Sequence, residues 1–279
     1  MSPELLSIAA LVCFIAGTTA AIAGFRVEML RTSAWQFGFV GLGLLLKTAA
    51  IGMTCAHSPT HFFNSPGEIA ALLAWSLAFS FLVALASSSA RSLGALILPF
   101  VVVLMILSLV LSREGVDHGM SPSRYLAPHI LAAFLGYGLF LTACGASVLY
   151  LEQTRLLKRK MFNVIFRDLP SLERLERLEI LCAWLGLAAF TVAIATGAIM
   201  ANELNRPFWL QPKMIATELT WLIFAALLVG RAVRRLNGRS AAKFVLAGAA
   251  LVLCTFLLSH PFARPQAATA NVPAKGRSA

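Results

Sequence analysis

The sequence predicts an all-α, polytopic membrane protein with eight transmembrane helices and both termini outside. Three observations predict it. Of the 279 residues, 59% are hydrophobic and only 13% charged, against about 45–50% and about 25% in an ordinary soluble domain. Eight separate stretches reach the roughly 20 apolar residues that a helix needs to cross the hydrocarbon core. Basic residues crowd the loops on one side of those stretches and are sparse on the other, the asymmetry that orients helical membrane proteins. This composition, with a mean hydropathy of +0.81, excludes a soluble enzyme, a disordered chain and a nucleic-acid-binding domain. Period-two alternation is absent, which excludes a β-barrel.

The spans fall near 4–25, 35–56, 68–89, 92–112, 125–151, 179–201, 214–234 and 241–261. The first is preceded by Glu4 and lacks a basic leader, so it reads as a span and not as a cleaved signal peptide. Only a few residues around Arg91 separate the third from the fourth, which makes that pair a tight hairpin. Small residues in GFVGLG, ACGAS and GLAAFTVAIATGAIMA allow close helix packing. In the longest loop, 152–178, Leu172, Leu175 and Leu178 alternate with charged residues at helical period. That pattern predicts an interfacial cytoplasmic helix leading into the sixth span, or alternatively a docking surface for a cytoplasmic enzyme. Residues 1–262 form a single transmembrane domain, 263–279 a polar disordered tail, and no long internal repeat stands out.

Loops after the odd-numbered spans carry fifteen Lys and Arg residues, from Arg26 through the Arg155–Arg177 cluster to Lys243, against seven on the opposite side and in the tail. The 5–6 and 7–8 loops are therefore cytoplasmic, and both termini lie outside a bacterial inner membrane. The net charge of +11 then reflects attraction to anionic lipid, and no nucleic-acid partner is expected. The five cysteines lie in apolar stretches without a CxxC or CxxCH pattern, so thiol redox chemistry, zinc binding and covalent heme attachment have no support.

All five histidines then fall on or near the outer face. His57 and His61 sit in the loop after span 2, His118 after span 4, His129 one turn inside span 5, and His260 at the outer end of span 8. A neutral imidazole at an apolar helix end is a natural axial ligand for heme iron, and His129 and His260 lie at matching depth on different helices. The alternative is that each is an interfacial residue hydrogen-bonded to a neighbouring helix. Pro59 between His57 and His61 spoils the helical geometry of an i,i+4 metal pair.

The stretch from His129 to Tyr137 followed by LFLTACGASVLYL, the segment RPFWLQPKMIATELTWLIFAALLVGR (206–231) and the closing FLLSHPF (256–262) resemble the CcsA/HemX-type cytochrome c assembly family. The similarity covers roughly 125–262, and DLPSLERLE resembles the loop of the shorter HemX/YpjD-like branch. The resemblance implies heme ligation by His129 and His260 at the outer membrane face. Of the family's tryptophan-rich pattern the chain keeps Trp209, Pro212, Lys213, Thr220 and Trp221. It has Leu210 for a Trp, Gln211 for the Asp and Met214 for the Glu, and Val229 replaces a second intramembrane histidine. These departures imply heme handling without autonomous synthase activity.

Charges within spans need partners. Lys47 lies near the middle of span 2, and Glu218 one turn inside span 7, so a Lys47–Glu218 pair is expected. A heme propionate or an anionic lipid is the alternative partner of Lys47. Of the outer-face cations Arg124, Arg206 and Lys213, Lys213 matches the family's Pro-Lys dipeptide, and Trp209 and Phe208 could shield a porphyrin edge. The expected function is heme binding or handling in cytochrome c biogenesis, without catalysis of its own. Non-covalent b-type heme would be held by His129, His260, Trp209 and Lys213. The competing expectation is a non-heme accessory subunit that docks a membrane or cytoplasmic partner, such as a heme-biosynthesis enzyme, through 152–178.

Overall fold

The computed structural model describes residues 2–25, 33–57, 65–88, 91–111, 124–160, 169–203 and 212–259. These form eight helices and no strand: α1 (Pro3–Ala23), α2 (Ser33–His57), α3 (Pro66–Ser88), α4 (Arg91–Val110), α5 (Leu126–Lys158), α6 (Leu172–Glu203), α7 (Pro212–Ala232) and α8 (Gly238–Ser259). Among the described residues, α1 to α7 are long and apolar enough to cross a membrane, and the chain is a polytopic membrane protein. Side chains set the helix starts. The Ser2 hydroxyl accepts from the Leu5 amide ahead of Pro3, the Ser65 hydroxyl accepts from Glu68 ahead of Pro66, and the Asn237 amide oxygen accepts from Ser240. Each engages one of the N–H groups that a helix start leaves without an intrahelical acceptor.

Two helices exceed the expected spans. α5 has 33 residues and α6 has 32, so each is about 50 Å long at 1.5 Å per residue, while the hydrocarbon core is about 30 Å. The separate interfacial helix expected within 152–178 is absent among the described residues; its heptad-like leucines are the first turns of α6. Leu175 and Leu178 are each 1% exposed and join the core with Leu172. The apolar stripe is covered by neighbouring helices, chiefly α5, so it is not left to lie on a bilayer surface.

Side-chain contacts fix an up-and-down order. Ser7, Lys47, Glu68 and Ser108 line one cavity, which brings the start of α1, the end of α2, the start of α3 and the end of α4 to one end of the bundle. The Ser80 hydroxyl lies 2.9 Å from the Gly138 carbonyl and 2.7 Å from the Thr142 hydroxyl, and one turn earlier Ser76 faces Gly138, so α3 and α5 run parallel. At the opposite end, Arg231 donates to Glu176 at 2.7 Å and to the Leu236 carbonyl at 3.3 Å. The Ser147 hydroxyl donates to Glu179 at 2.8 Å, and Glu179 is only 2% exposed.

The core between α5, α6 and α7 is aromatic. Phe140 stacks on Phe224 with centroids 3.7 Å apart, and Phe190 meets both Phe140 and Tyr137 edge-on at 5.3 Å. Gly138 permits the closest approach of α3 to α5, because a Cβ there would lie 2.5 Å from the Ser76 carbonyl oxygen. Backbone cannot retreat as a side-chain tip can. Gly138→Ala is therefore expected to cost about 1–3 kcal/mol in thermal or denaturant unfolding of the detergent-solubilised protein. Gly41→Ala, with nothing within 4 Å of its Cβ, should leave stability within about 0.5 kcal/mol.

Candidate functional site

His129 lies one turn into α5, where the helix has just begun and its backbone amide bonds to the Tyr125 carbonyl at 3.0 Å. The ring reaches across to the last turns of α6. Its Nδ1 is 2.7 Å from the Ala193 carbonyl oxygen and 3.5 Å from the Thr196 hydroxyl. That hydroxyl donates to the Val192 and Ala193 carbonyls. A carbonyl only accepts, so Nδ1 carries the proton, and in the neutral ring the lone pair falls on Nε2. Fixing Nδ1–H on a backbone carbonyl is how proteins orient an imidazole whose Nε2 ligates a metal. Gly197 makes room for the ring, since a Cβ at that position would lie 2.9 Å from His129 Cε1.

Tyr137, Phe190, Phe140 and Phe224 fill the interior further along α5, each 8% exposed or less. The middle of the bundle beyond His129 is therefore filled by packed side chains.

α8 packs on α5 and ends at Ser259 on this same end. The next residue, His260, lies outside the described residues, as do Trp209, Phe208, Arg206, His61 and His118. Lys213 belongs to the first turn of α7 and His57 closes α2, and the side chains of both are outside the described set. The fold thus gathers the starts of α5 and α7 and the ends of α2 and α8 at one end. Arg124 lies over the Tyr125 ring at 4.9 Å.

The expected Lys47–Glu218 pair does not form. Lys47 is 5% exposed, donates to the Ser7 hydroxyl at 3.1 Å, and lines a cavity with Glu68 among α1 to α4. Glu218 is on α7, which packs against α6 and α8. Glu68, in the first turn of the third span, and Glu179, the first residue of the sixth span as expected at 179–201, go unremarked at the level of sequence. The signal for Glu179 was its place four residues after Leu175 and three before Cys182, on one buried face.

A bundle of apolar helices, with an imidazole oriented at one end and a half-buried ion pair at the other, defines a polytopic helical membrane protein built around α5 and α6. Residues 67–262 match the cytochrome c assembly protein family, and the chain belongs to that family. The match takes in α3 and α4 as well as the 125–262 region whose motifs carry the resemblance. The chain is 28% identical over 158 residues to Protein HemX of Brevibacillus brevis, covering 56% of this chain and 58% of that one. It is 28% identical over 125 residues to Protein HemX of Bacillus subtilis, with 44% and 45% coverage. The chain thus spans about half the length of these two relatives. The cytochrome c biogenesis protein CcsA of Guillardia theta is 24% identical over 242 residues, with 79% and 80% coverage. No solved structure matches the chain.

The contact between His129 and Gly197 is testable by itself. Gly197→Ala is expected to push the ring off the Ala193 carbonyl and lower stability by about 1–2 kcal/mol. In a His129→Ala background the same change should cost far less, because the ring it strikes is gone. Equal costs in the two backgrounds would show that the ring is not seated there.

Proposed function

We propose that this protein binds and handles heme during cytochrome c biogenesis, with His129 and His260 as the axial ligands. The observation that carries the reading is the 2.7 Å contact of His129 Nδ1 with the Ala193 carbonyl, which leaves the lone pair on Nε2 at the end of a sealed bundle. His260 supports it by position, since it directly follows α8 at the end where α5 begins. His129 and His260 would together hold the heme, which would supply an iron centre suited to carriage or electron transfer and not to oxygen activation. Lys213, at the start of α7, supplies a cation for a propionate, and Trp209, three residues before α7, an apolar edge.

The same reading orients the molecule. The end opposite His129 carries Arg155, Lys158, Arg174, Arg234, Arg235 and Arg239, the excess expected of a cytoplasmic face. α8 is then the eighth span, both termini are outside, and the membrane is the bacterial inner membrane with the histidine end facing the periplasm. An accessory reading is favoured by one observation only. α5 and α6 extend past the hydrocarbon core on the basic side, and that stub offers a partner a surface.

Purified protein distinguishes the two readings. The heme reading predicts a Soret band of low-spin bis-histidine character, lost in His129→Ala and in His260→Ala and kept in His57→Ala. Protein that stays colourless after reconstitution with heme, or a band indifferent to both substitutions, would sink it.

A further inference from the structure

The second four helices repeat the first four. α1 packs on α2 and α4, α2 on α3, and α3 on α4; in the same order α5 packs on α6 and α8, α6 on α7, and α7 on α8. The sequence repeats with them, contrary to the expectation that no long internal repeat is present. Leu42-Gly43-Leu44 with Thr48, Ala50 and Ile51 recurs 143 residues later as Leu185-Gly186-Leu187 with Thr191, Ala193 and Ile194. Pro66, Ile69, Ala70, Leu73 and Trp75 recur 146 residues later as Pro212, Ile215, Ala216, Leu219 and Trp221. The Trp75 indole donates to Thr48 at 2.8 Å, and the Trp221 indole to Thr191 at 2.9 Å. Phe14 packs against Gly43 as Phe140 packs against Gly186, which sets an offset of 126 between α1 and α5.

The two units differ around one carbonyl. By these offsets Pro3, Ala50, Met53 and Thr54 correspond to His129, Ala193, Thr196 and Gly197. Pro3, Ala50 and Thr54 border one cavity, so the first unit gathers the positions that meet in the second. In the first unit the Thr54 hydroxyl donates to the Ala50 carbonyl at 3.0 Å. In the second, glycine takes the place of that threonine and leaves the space that the His129 ring fills. The hydroxyl stands one residue earlier instead, on Thr196, 3.5 Å from Nδ1. Three differences thus fall together: an imidazole for a pyrrolidine, no Cβ beneath it, and a hydroxyl at its Nδ1 edge.

We propose that Thr196 is a positioning residue for the imidazole: together with the Ala193 carbonyl it holds the His129 proton on Nδ1 and so keeps the lone pair on Nε2. A hydroxyl has one proton, and that of Thr196 is directed at the Val192 carbonyl at 2.7 Å and the Ala193 carbonyl at 3.1 Å. What the oxygen turns to the ring is therefore lone pairs. With the proton on Nδ1, the ring donates to Ala193 at 2.7 Å and is attracted by Thr196 as well. With the proton on Nε2, the Nδ1 lone pair would face two acceptors. At 3.5 Å the hydroxyl contact is longer than an ordinary hydrogen bond, so it supplements the bond to Ala193 and does not replace it. Sharing the Nδ1 proton with acceptors also raises the basicity of Nε2, and hydrogen bonding around a ligand is one of the levers on the potential of heme iron. That last step rests on the heme reading; the tautomer does not.

The test has two arms on the full chain in detergent, each comparing Thr196→Val, which keeps the shape, with Thr196→Ser, which keeps the hydroxyl. The first is NMR of the heme-free protein labelled with 15N-histidine, at a pH where the ring is neutral. The native His129 is expected to show the Nδ1–H pattern. In Thr196→Val the tautomer ratio should fall roughly fivefold, the worth of a weak hydrogen bond, so that the two nitrogen shifts approach one another. Thr196→Ser should restore them. The second arm is the reduction potential of the heme-loaded protein, which should rise in Thr196→Val and return in Thr196→Ser. Should Thr196→Val fail to fold, Thr196→Ala serves in both arms. Nitrogen shifts unchanged in the folded variant, or changed equally by Val and Ser, overturn the proposal. An altered tautomer with an unaltered potential overturns the step to iron alone. Protein that takes up no heme removes the function proposed above, and the first arm still decides the role of Thr196.

Discussion

The interlock of α5 with α6 holds everything else in register. Phe140 lies against Gly186 and Phe190 against Gly136, so each helix presents a ring where the other presents bare backbone. In lipid no hydrophobic force drives helices together, and association depends on such close packing and on interhelical hydrogen bonds. Here the packing is reciprocal, which fixes both rotation and sliding of the pair. The seat of His129 on the Ala193 carbonyl follows from that register. Sliding one helix by a turn, about 5.4 Å, would carry the ring past its acceptor.

Polar side chains join helices at several points, and at Gly138 the missing Cβ lets two backbones approach. Ser80 reaches Gly138 and Thr142, Ser147 reaches Glu179, and Lys47 reaches Ser7. Charge in the interior costs several kcal/mol unless it is compensated, so these pairings constrain which helix face turns inward. They also separate the two ends chemically. One end orients an imidazole and an ammonium, whereas the other is tied by the Arg231–Glu176 pair, whose side chains are 18% and 29% exposed.

Much of the fold was legible in the sequence because apolar length and loop charge report directly on the membrane. The hairpin at Arg91, the absence of strands among the described residues and the helix bearing His129 all followed from that. The reach of α5 and α6 did not. Glu152, Arg155 and Lys158 read as loop because charge marks the edge of a span, while helical hydrogen bonding continues beyond the lipid. The Lys47–Glu218 pairing failed for a different reason. Depth along each helix can be counted, but which helices are neighbours depends on packing, and α2 belongs to the first unit while α7 belongs to the second. The internal duplication was hidden because its identities are scattered at helical spacing and its offset shifts from 143 to 146 between helices. The contacts of Trp75 and Trp221 expose it at once. At the histidine end the sequence located His129, whereas the identity of its acceptor required the fold.

The 33 and 32 residues of α5 and α6 have a mechanical consequence. Helices are stiff over such lengths, and these two are bound along their shared length from Tyr150 and Glu176 at one surface to His129 and Thr196 at the other. They form a continuous rod. A push or twist applied at one end of the pair reaches the imidazole without passing through any loop, so a contact at that end has a direct lever on the orientation of the ring at the other.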